Sequence, residues 1–266
     1  MAIQVGTAAT VAKQTAAGMH KFYGLAKRQA WDVRDLSWGK ISPIPEGNGS
    51  EIKRERRRAV WRSVLTQQLQ ADELAAQVST DLLATASDVE AKLYYSTMAQ
   101  DEARHFESWL KLADASGGTC EPDPYLAELG KFVLSVDTVE EKVWLLQVAF
   151  EGLVIPRFHQ IAAAAPDTIL AEICNKLAID DGIHHGAGVY YEKLLLSRAT
   201  PKARRDIEKA SLAMWPMYIQ HLQWRPRERA WASDTMHSRD TEMIRGHRET
   251  VYKLANELNL NLDLTY

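Results

Sequence analysis

Apolar side chains recur at helical spacing along most of the chain, and no segment alternates apolar and polar residues as a strand would. The pattern predicts an amphipathic lead-in helix over residues 8–30 that carries Val11, Met19 and Phe22. A loop rich in proline and glycine, Ile41–Ser50, follows this helix and breaks the pattern. The hydrophobic periodicity therefore predicts an all-α protein.

Longer helical stretches follow the loop. We expect them at residues 51–85, 88–115, 137–165, 167–198, 201–223 and 236–259. The connection Gly117–Pro124 is long enough to cross the end of a helix bundle. We expect one domain over residues 1–266, with a bundle at about 51–198, a lead-in at 1–50 and C-terminal helices at 199–266.

Two short segments, Asp101–His105 and Asp180–His184, repeat one chemical pattern. Each places a carboxylate three residues before an imidazole, as Glu102 before His105 and Asp181 before His184. Because a helix turns by about 100° per residue, side chains three apart project from one face. Each pair can therefore bind a metal ion from one side of its helix.

A single acid precedes each pair at a nearly constant distance. Glu73 lies 102 − 73 = 29 positions before Glu102, and Glu151 lies 181 − 151 = 30 positions before Asp181. Two helices of an antiparallel hairpin bring such side chains to one height only if the turn lies midway between them. The repeat thus supplies the ligands of a two-metal carboxylate site.

Turn signals do lie midway in both halves. Ser87 and Asp88 begin a capping-box sequence in the first half, and Pro166 stops the helix in the second. Four carboxylates that face a bundle core would also repel one another unless cations neutralised them. Both observations favour a metal site between two helical hairpins.

Four segments resemble the metal-binding helices of the ferritin-like di-iron carboxylate superfamily: Asp72–Ala76, Asp101–His105, Phe150–Gly152 and Asp180–His184. The resemblance covers roughly residues 60 to 195 and implies a ferritin-like four-helix bundle with additional N-terminal and C-terminal helices. The form of the Asp101–His105 segment is most similar to the oxygen-activating branch. That branch includes multicomponent monooxygenase hydroxylases, acyl-carrier-protein desaturases and ribonucleotide reductase small subunits.

The resemblance also implies the ligands. One metal would take Glu73, Glu102 and His105, and the other Glu151, Asp181 and His184. Carboxylate and imidazole donors suit iron or manganese, so we expect two iron ions, and a Mn/Fe or Mn/Mn pair fits the same donors. By the same resemblance, Asp101 would orient His184 and Asp180 would orient His105.

Some ligand assignments stay open at this stage. Asp72 adjoins Glu73 and would make both spacings 30, since 102 − 72 = 30. His185 could replace His184, and His159 could add a donor or be an ordinary core histidine. Asp181 is one methylene shorter than the more common glutamate.

Three glycines, Gly182, Gly186 and Gly188, surround the Asp181 ligand turn. Each costs about 1 kcal/mol relative to alanine inside a helix. The sequence allows either a distorted stretch such as a π-bulge or close packing against another helix.

Four side chains share helical faces with the proposed ligands and are candidates for a substrate pocket: Gln77, Tyr94, Met98 and Trp109. Trp109 lies one turn after His105, where radical-storing reductase subunits often carry tyrosine. A tryptophan there argues against the standard tyrosyl-radical role.

Composition narrows the setting. The formal net charge of −3 argues against bulk attraction to nucleic acid, and the basic run Lys53–Arg58 is typical of a solvated helix face. Cys120 and Cys174 make neither a CxxC pair nor a disulfide framework, which fits a reducing compartment. No apolar stretch is long enough to span a bilayer, so we expect a soluble cytoplasmic protein.

The leading hypothesis is a di-iron oxygenase or oxidase that uses O2 on a small organic metabolite. Hydroxylation, N-oxygenation, desaturation and oxidative cleavage all fit it, and so do an external electron donor and a homodimer. The alternatives are a ferritin-like iron-handling or peroxide-scavenging protein and a reductase-type radical subunit or metal-free scaffold. Long segments at both ends and the lack of rubredoxin-type cysteines argue against iron handling.

Overall fold

The computed structural model describes residues 18–45, 47–232 and 237–264. Within these residues every regular element is a helix, apart from one isolated parallel bridge between Ser42 and Thr168. The all-α prediction is confirmed. In the same residues, none of the helices combines the length and apolar character needed to span a bilayer.

The helices follow the predicted order. They are α1 (residues 18–29), α2 (Glu51–Thr85), α3 (Val89–Ala115), α4 (Pro124–Ser135), α5 (Val139–Lys142), α6 (Glu151–Ala164), α7 (Ile169–Arg198), α8 (Pro201–Gln223) and α9 (His237–Glu257). A π-helical segment, Val143–Phe150, joins α5 to α6 and makes one rod of the three. The predicted lead-in residues 8–17, including Val11, lie outside the described residues.

Two antiparallel hairpins form the bundle. Helix α2 packs on α3, α6 packs on α7, and α3 packs on α7 across the two pairs. The faces that meet are apolar and fully buried, with Val78, Tyr95, Val148 and Leu177 each at 0% exposure. The bundle thus brings the four proposed metal-binding helices together around one core.

Both turns lie where the spacing argument requires them. In the first turn the capping box predicted from Ser87 does not form, because Asp88 is the N-cap and makes no side-chain cap hydrogen bond. Its carboxylate instead accepts a 3.1 Å hydrogen bond from the hydroxyl of Tyr191. In the second turn Thr168 caps α7 by accepting a hydrogen bond from the amide of Ala171.

Helix α4 was not predicted, because we assigned its start to a connection. Asp123 caps it by accepting hydrogen bonds from the amides of Tyr125 and Leu126, and Pro124 occupies the first turn. Leu129 and Val133 bury its inner face. The helix packs on α2 and α8 and so ties the C-terminal helices to the bundle.

The lead-in chain is fixed on the start of α7. The carbonyls of Ser42 and Pro43 accept 3.0 Å hydrogen bonds from the amides of Ile169 and Leu170. These amides have no partner inside their own helix, so the proline-containing loop completes the helix end. The contact also holds the preceding residues against α3 and α7.

Helix α7 is α-helical throughout, and the π-helical segment lies in the facing rod. A Cβ atom on Gly188 would lie 2.4 Å from the side chain of Gln147 in that segment, so only glycine allows this approach. At Gly188 the structure therefore shows close packing against another helix and not a distortion of α7. At Gly182 a Cβ atom would meet nothing within 4 Å.

Candidate metal centre

Six buried side chains converge at the middle of the bundle: Asp72 from α2, Glu102 and His105 from α3, Glu151 from the start of α6, and Asp181 and His184 from α7. Ligand atoms of Asp72, Glu102 and His105 lie within 4.8 Å of one another, and so do those of Glu102, Glu151 and His184. Glu102 belongs to both groups and can therefore contact two metal ions. We call these six side chains the cage.

Two carboxylates lie between the imidazoles. The Nδ1 atom of His184 lies 3.1 Å from Glu102 Oε1, and that of His105 lies 3.4 Å from Glu102 Oε2. Asp181 Oδ1 lies 3.6 Å from the same nitrogen of His184 and 3.9 Å from that of His105. Glu102 and Asp181 thus each lie close to both imidazoles.

The outer nitrogen of each imidazole contacts an aspartate from the opposite hairpin. Asp180 Oδ2 lies 3.1 Å from His105 Nε2, and Asp101 Oδ2 lies 3.4 Å from His184 Nε2. This is the crossed pairing that the resemblance implied. Because each aspartate engages Nε2, the Nδ1 atoms face the cage.

Arg104 and Trp31 extend this layer, and sequence reasoning assigned neither of them a role. Arg104 donates to Asp101 at 2.6 Å and to Asp180 at 3.0 Å, so one guanidinium links both orienting carboxylates. The indole of Trp31 donates to Asp180 at 2.8 Å. Arg104 stands within the motif itself, whereas the Trp31 contact depends on how the lead-in chain folds back on the bundle.

Glu73 is the one proposed ligand that the structure does not bring to the cage. It is exposed, whereas its neighbour Asp72 is buried at 7% exposure and accepts a 2.6 Å hydrogen bond from the indole of Trp109. Adjacent residues on a helix point about 100° apart, and here that difference directs Asp72 into the bundle and Glu73 to the surface. We therefore replace Glu73 with Asp72, which makes the two spacings equal.

Gln77 follows Glu73 by one turn and faces outward with it. Both line a surface groove between α2 and α4, so the structure places Gln77 away from the cage. Tyr94, Met98 and Trp109 are fully buried, as a pocket residue near the metals would be. Trp109 contacts the cage directly through its hydrogen bond to Asp72, and Met98 contacts the amide of Gln147 at 3.4 Å.

The two extra histidines do not join the cage. The Nδ1 atom of His185 lies 2.9 Å from the backbone carbonyl of Gln147, which belongs to the π-helical segment. His159 is exposed on α6. Neither histidine therefore adds a ligand to the six residues of the cage.

Burial determines the protonation state of most of the cage carboxylates. Burial raises the pKa of Asp72 and of Glu151 well above the usual range, and that of Asp181 to about 7. Glu102 differs: burial raises its pKa too, but the imidazoles of His105 and His184, 3.4 and 3.1 Å away, outweigh that effect and hold the pKa at about 2.

Several buried oxygen and nitrogen atoms of the cage have no hydrogen-bond partner in the part of the chain that the structure describes and could bind a metal ion. Among the described residues, both carboxylate oxygens of Glu151 and Nδ1 of His184 lack a hydrogen-bond partner although they are buried. Buried polar atoms in proteins are almost always paired, so these orphaned atoms need explaining. Four carboxylates and two inward-facing imidazole nitrogens fit a pair of hard-to-intermediate cations such as iron or manganese.

Similarity to known proteins was found only at the level of structure. No protein-family model and no curated protein matches the sequence. An R2-like ligand-binding oxidase variant with an aerobically reconstituted Mn/Fe cofactor superposes with a TM-score of 0.67 and 18% identity, covering 93% of this chain and 94% of that one. This chain has a ferritin-like helical-bundle fold.

Two further structures extend the comparison. A second variant, with an Fe/Fe cofactor, superposes on this ferritin-like chain with a TM-score of 0.64 and 17% identity, covering 93% of this chain and 94% of the other. The R2-like ligand-binding oxidase from Sulfolobus acidocaldarius gives 0.61 and 16%, covering 89% and 90%. At such identities the likeness establishes the fold, and the chemistry must be argued from the cage.

Because Asp72 and not Glu73 lies in the cage, substitutions at these two positions should differ in their effect on iron binding. Asp72→Asn should lower the iron retained per chain after anaerobic Fe(II) loading and desalting, because it removes a charged ligand. Glu73→Gln removes the same charge one residue away and should leave the iron content unchanged. Elemental analysis measures both, and a loss in Glu73→Gln alone would restore the original assignment.

The pKa shifts predict that protons and metal compete for the cage. The folded metal-free protein binds protons on Asp72, Glu151 and Asp181 that the unfolded chain has already lost above about pH 5, so its free energy of unfolding should fall as pH rises towards about 8. The raised pKa values of His105 and His184 act in the same direction.

A bound cation takes the place of these protons. The increase in Tm on adding Mn(II) should therefore be larger at about pH 8 than at about pH 6, because metal binding must displace fewer protons there. Calorimetry at the two pH values measures this difference. An equal increase at both, or a larger one at the lower pH, would contradict the protonation state assigned to the cage.

Proposed function

We propose that this protein is an oxidoreductase that uses a di-iron or Mn/Fe pair and O2 to oxidise a small organic molecule. The observation that carries the proposal is the cage, in which Glu102 and Asp181 lie between two inward-facing imidazoles inside a ferritin-like bundle. R2-like ligand-binding oxidases with Mn/Fe and Fe/Fe cofactors share this fold and add support.

The residues divide between two metal positions. Asp72 and His105 would hold one ion, and Glu151 and His184 the other, with Glu102 and Asp181 available to both. When bound, such a pair supplies one-electron redox chemistry and activation of O2, which protein side chains cannot provide.

The surrounding residues prepare the cage for that role. Asp101 and Asp180 hold the imidazole rings, and Arg104 fixes both aspartates with one guanidinium that is itself only 8% exposed. A site whose geometry is set before the metal arrives needs little rearrangement on binding.

Burial excludes bulk water from the cage. Tyr94 and Met98 are at 0% exposure, and the hydroxyl of Tyr94 has no hydrogen-bond partner among the described residues. Its pKa is raised well above 10, chiefly by burial and then by the charge of Glu151. Tyr94 therefore keeps its phenolic proton and could donate it in a hydrogen bond to a ligand atom, which supports its proposed role as a substrate-pocket residue.

Oxygen consumption tests the proposal directly. Protein loaded anaerobically with Fe(II) should consume O2 when mixed with air-saturated buffer, and Glu102→Ala should reduce the rate by about 100-fold or more. Replacing groups that merely orient a ligand costs roughly 10–100-fold, and Glu102 belongs to both ligand groups. Glu73→Gln, an exposed acid on the same bundle, serves as the matched control.

The other outcomes separate the competing functions. Iron retention that keeps growing with added Fe(II) and O2 would indicate storage, and a stable radical signal would indicate a radical subunit. Mass spectrometry of metabolites incubated with the loaded, reduced protein would identify the substrate. Unchanged oxygen consumption in Glu102→Ala would place the chemistry elsewhere.

A further inference from the structure

A cavity of about 300 Å³ lies between α2, α6, α8 and α9, and no cage residue lines it. Most of its wall is apolar, with Trp61, Val64, Ile161 and Leu222 among the lining residues. Its volume and apolar wall are those of a small-molecule site rather than of a packing defect. Two of these helices, α2 and α6, also carry cage residues, and the other two are the C-terminal helices α8 and α9.

Arginine side chains form part of the lining of this apolar cavity. The lining includes three arginines, Arg157, Arg225 and Arg229. Arg157 is half-buried and donates a 2.8 Å hydrogen bond to the side-chain carbonyl of Gln67, a neutral partner. Within the described part of the chain no carboxylate lies within ion-pairing distance of Arg157, although guanidinium groups in such surroundings normally pair with an anion.

The acid near this arginine is Asp123, and its carboxylate already has hydrogen-bond partners. Asp123 is fully buried and accepts hydrogen bonds from Gln67 at 3.0 Å and from three further groups, one of them the ring of His221 at 2.8 Å. Gln67 therefore separates Asp123 from Arg157 and contacts both. The negative charge of Asp123 is committed to its own network and leaves the cavity side of Arg157 open to a ligand.

The pKa values of neighbouring titratable groups are also lowered by burial and by these arginines. Burial and then Arg157 lower the pKa of His247, another lining residue, to about 4. The pKa of Arg157 is itself lowered by burial, and Arg225 adds to that shift. An anion bound among these groups would offset both effects.

The cavity also has room for more than a charged group. It shares Pro156, Gln160, Met243 and His247 with a second cavity of about 490 Å³ that runs along α6 to Gly152. A ligand held at Arg157 can therefore extend an apolar body along the groove between α6 and α9.

We propose that this cavity is a second ligand site, which binds a small organic acid with its carboxylate at Arg157 and its apolar body against Trp61, Ile161 and Leu222. A planar guanidinium pairs with a carboxylate through two parallel hydrogen bonds, which favours an acid over a neutral analogue of the same shape. The site does not depend on the metal chemistry, and it gives the C-terminal helices α8 and α9 a role that the cage does not require.

Calorimetric titration of the metal-free full-length protein tests the proposal. The probes are 4-phenylbutyrate, its alcohol 4-phenylbutanol, and acetate. The acid should bind about tenfold or more tightly than the alcohol, because the alcohol lacks the charged hydrogen bonds, and acetate should bind weakly because it lacks the apolar body. Equal binding of acid and alcohol would overturn the proposal, and so would the absence of acid binding at millimolar concentration.

Three variants assign the site. Arg157→Gln should abolish the preference for the acid, and Arg205→Gln, which removes an exposed arginine of α8, should preserve it. Ala164→Phe places a ring at the exposed edge of the cavity and should weaken binding of acid and alcohol together. If Arg157→Gln fails to fold, Arg157→Lys retains the charge without the planar fork and should show an intermediate preference. An unchanged preference in the folded Arg157 variant would refute the assignment, whatever the outcome for oxygen chemistry.

Discussion

The structure depends on one electrostatic constraint, the burial of four carboxylates in one place. Asp72, Glu151 and Asp181 all have raised pKa values because burial penalises their charged forms. Glu102 alone stays acidic, because two adjacent imidazoles offset its burial. Such a cluster is stable only when protons or cations neutralise it, so a cation that bound in the cage would displace protons. A pair of bound cations would explain why strongly polar groups occupy the centre of an otherwise apolar bundle.

The fold is arranged to hold these groups at one height. Midway turns set the register within each hairpin, and the π-helical segment directly before Glu151 rotates that ligand relative to the rest of its rod. Gly188 lets the facing helix approach Gln147 closely. The side chain of Gln147 then donates to the backbone carbonyl of His184 at 3.1 Å and accepts from the hydroxyl of Tyr95 at 2.9 Å. A polar side chain thus connects three helices next to the ligands.

Sequence reasoning predicted the features that periodicity and motif spacing determine. It missed those that depend on which face of a helix is buried or on tertiary contacts. Helix α2 has the predicted bounds because its apolar spacing is continuous from the loop to the next turn. Asp72 and Glu73 satisfy the spacing equally well, and only the buried face of α2 distinguishes them. The contact of Trp31 with Asp180 joins residues 149 positions apart, which no local pattern can indicate. Helix α4 begins with an aspartate and a proline, a start signal that we assigned to a loop instead.

We propose that the cage holds two metal ions that share Glu102. Anomalous X-ray diffraction from crystals of the metal-loaded protein, recorded at the iron and manganese absorption edges, would locate such ions. Two anomalous peaks should lie inside the bundle, one beside His105 Nδ1 and one beside His184 Nδ1, with the carboxylate of Glu102 between them. A cage without anomalous density, with peaks only at exposed carboxylates, would contradict it.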